Sequence, residues 1–213
     1  MEKKLRVGIM GGTFNPIHIG HVITGECAYE QFALDKVLFM PSKTPPHKSI
    51  LGIASTTDRT NMVRLAIEEN PHFILSTLEL EREGITYTVD TLRELNRTHS
   101  NCEVFFIIGA DSLFDFARWR EPGEILKLAT ILVASRYGLS DDRLLEQIEK
   151  LKAMYGGHFE IVKMPTIDIS SSEIRDRHKK GLSVRYYVDH KVRQYMDEHN
   201  LYLEGRKGNA EHE

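Results

Sequence analysis

The sequence predicts an α/β fold built on a parallel β-sheet with helices on both faces. Short, β-rich apolar runs alternate along the chain with longer segments of helical period, the order expected of strand–helix–strand units. Several runs are continuously apolar, such as VFFII at 104–108, as burial of both sheet faces requires. A length of 213 residues suits one domain. Hydrophobic residues at 41% and charged residues at 28% exclude collagenous, disordered and disulfide-scaffold chains.

The elements follow in order. The first strand, 5–10, ends at Gly11 and Gly12, which cut the apolar run too short for the signal peptide that the basic start would suggest. Further strands are expected at 37–40, 73–76, 104–108, 131–134 and 159–162. Helical periodicity predicts helices at 18–32, 58–69, 89–97, 140–155, 171–179 and 190–200. The Pro-rich stretch 41–52, PSKTPPHKSILG, carries Lys43, His47 and Lys48 and reads as a functional loop, since a structureless connection of that length is uncommon otherwise. Residues 1–203 are expected to form the domain, with a helical C-terminal part from about 171. Residues 204–213 are polar and expected to fray.

Charge and cysteine content narrow the function. A net charge of −3 argues against generic nucleic-acid binding, and no apolar stretch reaches the ~20 residues of a membrane span. Cys27 and Cys102 lack paired metal or disulfide spacing, so a reducing cytoplasm is the expected setting.

The most informative text is VGIMGGTFNPIHIGH, 7–21. It predicts a strand, a Gly-Gly turn, and a helix opening with His18 and His21. Adjacent glycines admit a ligand close to backbone N–H groups, and a helix N-terminus adds unsatisfied donors. Histidines three apart share a helical face, and each can donate to a phosphate oxygen. The text is neither a P-loop nor G-x-G-x-x-G, and two histidines alone supply too few ligands for zinc. A second piece, ISSSEIR at 169–175, contains the capping box Ser170–Glu173. The cap does not require three consecutive serines with Arg175 one turn in, which together suit a polyphosphate.

GGTFNPIHIGH and ISSSEIR resemble the paired signatures of the HxGH nucleotidylyltransferases. The PPHK text (45–48), ITYTVDTL (85–92), FIIGADS (106–112) followed by Trp119, and VASR (133–136) are similar to the bacterial nicotinate-nucleotide adenylyltransferases. The resemblance covers residues 5–203. It implies a Rossmann-like sheet, and transfer of AMP from ATP to nicotinate mononucleotide with release of pyrophosphate, in NAD biosynthesis. It also implies Mg²⁺ held by ATP phosphates and water rather than by a protein metal site. His18, His21 and Arg175 are the implied catalytic residues. Gly11, Gly12, Thr13, Phe14, Ser171 and Ser172 are implied to bind ATP with them, although Phe14 is equally well read as core. For the acceptor the resemblance implies Lys48, Thr88, Asp111, Trp119 and Arg136. Trp119 would stack on the nicotinate ring; packing in the core is the other reading of a sole tryptophan. Thr88 suits a carboxylate or is a plain N-cap, Asp111 suits a ribose hydroxyl or is a cap, and Lys48 and Arg136 are otherwise surface charges. Asn15 departs from the Asp of many members, so no role needing a negative charge carries over to it. Nicotinamide-mononucleotide and pantetheine-phosphate adenylyltransferases and a non-catalytic nucleotide sensor remain open, as does a homo-oligomer.

Overall fold

The computed structural model describes residues 4–43, 52–136 and 142–203. His47, Lys48, the tail 204–213 and the start of the helix expected at 140 lie outside the described residues. All six expected strands form: β1 Leu5–Gly12, β2 Lys36–Pro41, β3 Phe73–Leu75, β4 Cys102–Gly109, β5 Thr130–Arg136 and β6 Phe159–Met164. They make one parallel sheet in the order β3-β2-β1-β4-β5-β6. The order reverses between β1 and β4, and doubly wound sheets bind ligands in the crevice at the carboxyl ends of such a pair.

The expected helices form as α1 Ile19–Gln31, α2 Thr56–Ile67 and α3 Thr88–Thr98 in the first half. Two short helices that periodicity did not announce follow, α4 Ala110–Asp115 and α5 Pro122–Leu128, separated by a 3₁₀ turn at Phe116–Arg118. The chain continues with α6 Asp142–Tyr155, α7 Ser171–Lys179 and α8 His190–Glu198.

Alternation along the central strands sorts the core into two layers. Phe105 and Ile107 of β4 pack with Ala28 of α1, Met62 and Val63 of α2, Ile174 of α7 and Val192 of α8. Val104, Phe106 and Ile108 point the other way, against Leu92 of α3, Leu113 of α4, Ile125 of α5 and Ile148 of α6. Both faces of the sheet are therefore covered, which is why its strands read as unbroken apolar runs. Ile9, Val37, Ile131 and Val133 are completely buried, and each such side chain contributes about 1.5–3 kcal/mol of transfer free energy. Among the described residues no helix is long and apolar enough to cross a membrane.

Candidate active site

The two glycines expected to turn the chain instead end a strand. Gly11 and Gly12 lie in register with Met40 and Pro41 of β2, and the reversal comes at Phe14, whose φ is 47°. A Cβ on Gly12 would sit 3.1 Å from the Phe14 ring, so the small residue lets that ring tuck beneath the strand end. The ring is 2% exposed and meets His21 edge-on at 5.1 Å. Phe14 thus serves the core with its side chain, and only its backbone is left to meet a nucleotide.

His18 and His21 do not both lie within the helix, as the sequence suggested. His18 is the N-cap of α1 and His21 its third helical residue. Their rings nevertheless lie 3.8 Å apart, and the His18 N–H donates to Nδ1 of His21 at 3.2 Å. A ring nitrogen that accepts from a backbone N–H carries no proton, so neutral His21 carries its hydrogen on Nε2 and is a donor there. Burial lowers the His18 pKa to about 4, because the interior disfavours the imidazolium. The side-chain Nδ1 of His18 has no hydrogen-bond partner among the described residues. A Cβ on Gly20 would lie 3.0 Å from that Nδ1, which accounts for the glycine between the two histidines.

The second motif docks directly onto the first. Ser170 caps α7, its Oγ accepting from the Glu173 N–H at 3.1 Å. Ser171 donates to the Pro16 carbonyl at 2.9 Å, and Arg175 donates to the Asn15 carbonyl at 2.9 Å and to Ser172 Oγ at 3.0 Å. The Ser171 proton is therefore spent on the first motif rather than offered to a phosphate. Ser172, exposed at the first turn of α7, keeps its own proton to donate.

Of the acceptor candidates, Trp119 packs against the other core layer, and Lys48 lies outside the described residues. Thr88 is half-buried and is the first residue of α3, not its cap, which is Tyr87. Asp111 is exposed in the first turn of α4, where the cap is Gly109 at the end of β4. Trp119 is half-buried against Phe116 at 5.1 Å and edge-on to Phe106 at 6.1 Å, so it belongs partly to the core. The Arg120 guanidinium lies 4.7 Å over the Tyr87 ring, and Arg93 pairs with Glu121 at 2.5 Å. These contacts tie the start of α3 to the segment bearing Trp119. Arg136 is the last residue of β5 and so stands at the carboxyl end of that strand. Lys43, at the start of the Pro-rich stretch, donates to the Arg82 carbonyl at 2.7 Å.

Three residues that motif reading passed over hold this arrangement. Arg59 of α2 is 1% exposed and donates to four acceptors. It falls on the buried stripe it shares with Met62, Val63 and Ile67, and an arginine in an apolar register is the signal that would have found it. Tyr202 donates from its hydroxyl to Asn15 Oδ1 at 2.8 Å, and burial holds that hydroxyl well above the ordinary tyrosine range. Glu79 accepts from Thr91 at 2.9 Å and from Thr86 at 3.4 Å, fastening the segment that enters α3. Burial pushes its carboxyl pKa up.

Residues 9–177 match the Cytidylyltransferase-like family. A nicotinate-nucleotide adenylyltransferase of Lachnoclostridium phytofermentans is 43% identical over 198 residues, 93% of this chain and 99% of that protein. One of a Thermoanaerobacter species is 39% identical, covering 95% of this chain and 96% of its own. The chain belongs to the nicotinate-nucleotide adenylyltransferase family. The same fold is found in solved structures of much lower sequence identity. The Plasmodium falciparum nicotinic acid mononucleotide adenylyltransferase complexed with APC superposes with a TM-score of 0.75 at 20% identity, covering 93% of this chain and 97% of the other. The same protein complexed with NaAD gives 0.75 at 21% identity over the same shares.

Proposed function

We propose that this chain binds ATP at the carboxyl ends of β1 and β4 and transfers AMP to nicotinate mononucleotide, forming deamido-NAD and pyrophosphate. The observation that carries the reading is the fastening of α7 onto the first motif through Ser171 and Arg175. It unites two helix N-termini, two imidazoles and a guanidinium at the crevice where such sheets take nucleotides. The family membership and the relatives' names support the same acceptor.

The chemistry asks little of the protein beyond position and charge. An oxygen of the acceptor phosphate attacks the α-phosphorus in line. The bond from that phosphorus to the bridging oxygen breaks, and pyrophosphate leaves with the electron pair. The acceptor is a phosphate monoester with a second pKa of about 6, so it is mostly dianionic at neutral pH and needs no general base. His21 presents Nε2–H to the phosphates, and His18 stays uncharged until anionic phosphate nearby raises its basicity. Arg175 neutralises the charge that grows on the leaving group. Among the described residues no group of three or more His, Cys, Asp or Glu could hold a metal ion. A Mg²⁺ bound with the nucleotide would be carried by phosphate oxygens and water, and would neutralise triphosphate charge there. Thr88 and Trp119 are proposed to hold the nicotinate carboxylate and ring, and Asp111 a ribose hydroxyl. Both cysteines are free thiols, which suits the cytoplasm we propose as the setting.

The test is Mg²⁺-dependent pyrophosphate release from ATP with nicotinate mononucleotide, nicotinamide mononucleotide and phosphopantetheine offered separately. Preference for the nicotinate acceptor supports the reading. Preference for the amide would remove the Thr88 carboxylate pocket but keep the transfer chemistry, and binding of ATP without turnover on any acceptor would replace the enzyme with a sensor.

A further inference from the structure

Arg59 is a cation buried in the interior, 1% exposed, with no carboxylate hydrogen-bonded to it among the described residues. Its NH1 donates to the Thr13 carbonyl at 2.7 Å, its NH2 to the Lys43 carbonyl at 3.1 Å and Thr56 Oγ1 at 3.2 Å, and its Nε to the Ala54 carbonyl at 3.3 Å. Three of these four acceptors are main-chain carbonyls, drawn from the first motif, the segment leaving β2 and the segment entering α2. A guanidinium is suited to this because its donors are fixed in one plane and point in several directions at once. Burying it is costly, and a packed apolar side chain at that place on α2 would fill the volume without that cost. The charge is therefore retained for what it holds.

We infer that Arg59 is a positioning residue for adenylyl transfer, fixing the main chain of the first motif relative to the segments that flank it. The inference rests on the adenylyl-transfer reading above. Its geometric basis is the peptide plane between Thr13 and Phe14. In a trans peptide the carbonyl and the following N–H point in opposite directions. With the Thr13 carbonyl drawn inward to Arg59, the Phe14 N–H is aimed away from the buried guanidinium. Neither the Thr13 nor the Phe14 N–H has a hydrogen-bond partner among the described residues. A donor beside Gly12 is thus aimed by a contact made on the opposite side of the chain, two residues past the end of β1. Asn15 reinforces the arrangement one residue on, its amide donating to the Gly52 carbonyl at 3.1 Å and its Oδ1 accepting from the Ala54 N–H at 3.0 Å. Ala54 is thereby held by Arg59 through its carbonyl and by Asn15 through its N–H.

The experiment compares Arg59→Lys and Arg59→Gln with Met62→Ala, a core substitution on the same stripe of α2. Each is assayed by steady-state kinetics with ATP and nicotinate mononucleotide varied in turn, well below its own Tm, and by equilibrium binding of ATP. Lysine keeps the charge but offers one nitrogen where the guanidinium offers three. A small displacement of a positioning group costs up to about 100-fold. For Arg59→Lys we expect kcat to fall about 10- to 100-fold, with KM for ATP changed less than about fivefold. Met62→Ala should lower Tm and leave kcat within about twofold of the wild type. Equal kcat in the two variants, or a loss confined to KM, would overturn the inference. Should neither Arg59 variant fold, Thr56→Val removes only the hydroxyl acceptor: a several-fold loss of kcat at unchanged Tm supports the inference, and unchanged kcat overturns it. If the wild-type protein itself turns over no acceptor, the functional reading fails, and ATP affinity then judges Arg59 separately, a weakening greater in Arg59→Lys than in Met62→Ala supporting its positioning role and equal affinities overturning it.

Discussion

His18 is the residue whose ionisation matters most. With its pKa lowered from 6.5 to about 4 by burial, it resists a proton that the unfolded chain accepts. The folded state is therefore favoured fully above about pH 6.5, and that advantage is lost as pH falls from 6.5 towards 4. The full shift corresponds to about 3 kcal/mol. Urea unfolding across pH 7.5 to 4.5 should show a steeper loss in the wild type than in His18→Gln; parallel curves would contradict the buried neutral imidazole. In an NMR titration, the His18 ring should titrate near 4 without ligand and move upward when ATP is added. Asn15 makes a different prediction. Its amide must donate to Gly52 while its oxygen accepts from Ala54 and Tyr202, and a carboxylate cannot do the first. Asn15→Asp should therefore lower stability by about 1–3 kcal/mol, read as a drop in Tm.

Helix α7 separates two duties that adjacent serines carry. Ser170 caps the helix and Ser171 fastens it to Pro16. Ser170→Ala should cost about 1 kcal/mol of stability with little change in kcat at temperatures where the protein stays folded. Ser171→Ala should cost less stability but lower kcat, because α7 and Arg175 lose one of their two ties to the first motif. Calorimetric Tm and kcat measured on both variants decide this, and a reversed pattern would mean the docking contact is only structural. The short elements explain what the sequence concealed. Helices α4 and α5 span six and seven residues and the turn between them three, under two helical turns each, so no 3.6-residue period can develop in them. The glycine pair misled for a related reason: glycine marks close approach as readily as a turn, and at Gly12 the approach is to the Phe14 ring.

Across the whole molecule, strands and long helices were legible because each buries a continuous or periodic face, and that pattern is written locally. The motifs were legible because their residue types are unusual at that spacing. Tyr202 was not, since its partner Asn15 lies 187 positions away and only the folded chain brings them together; Arg59 was legible as a charge in an apolar register, but its reach to Thr13 and Lys43 was not. The same remoteness has a consequence for synthesis. Arg175 reaches the Asn15 carbonyl across 160 positions of chain, and central β1 pairs with β4 nearly a hundred residues later. A ribosome adding ~5–20 residues per second needs on the order of ten seconds or more to cover that interval. Throughout it, the glycine-rich strand end and the histidine pair are already made but stand without the guanidinium and the capped helix that complete them. A chain cut short just before α7 therefore carries all six strands and lacks the half of the proposed phosphate site that Ser171 and Arg175 fasten to the first motif.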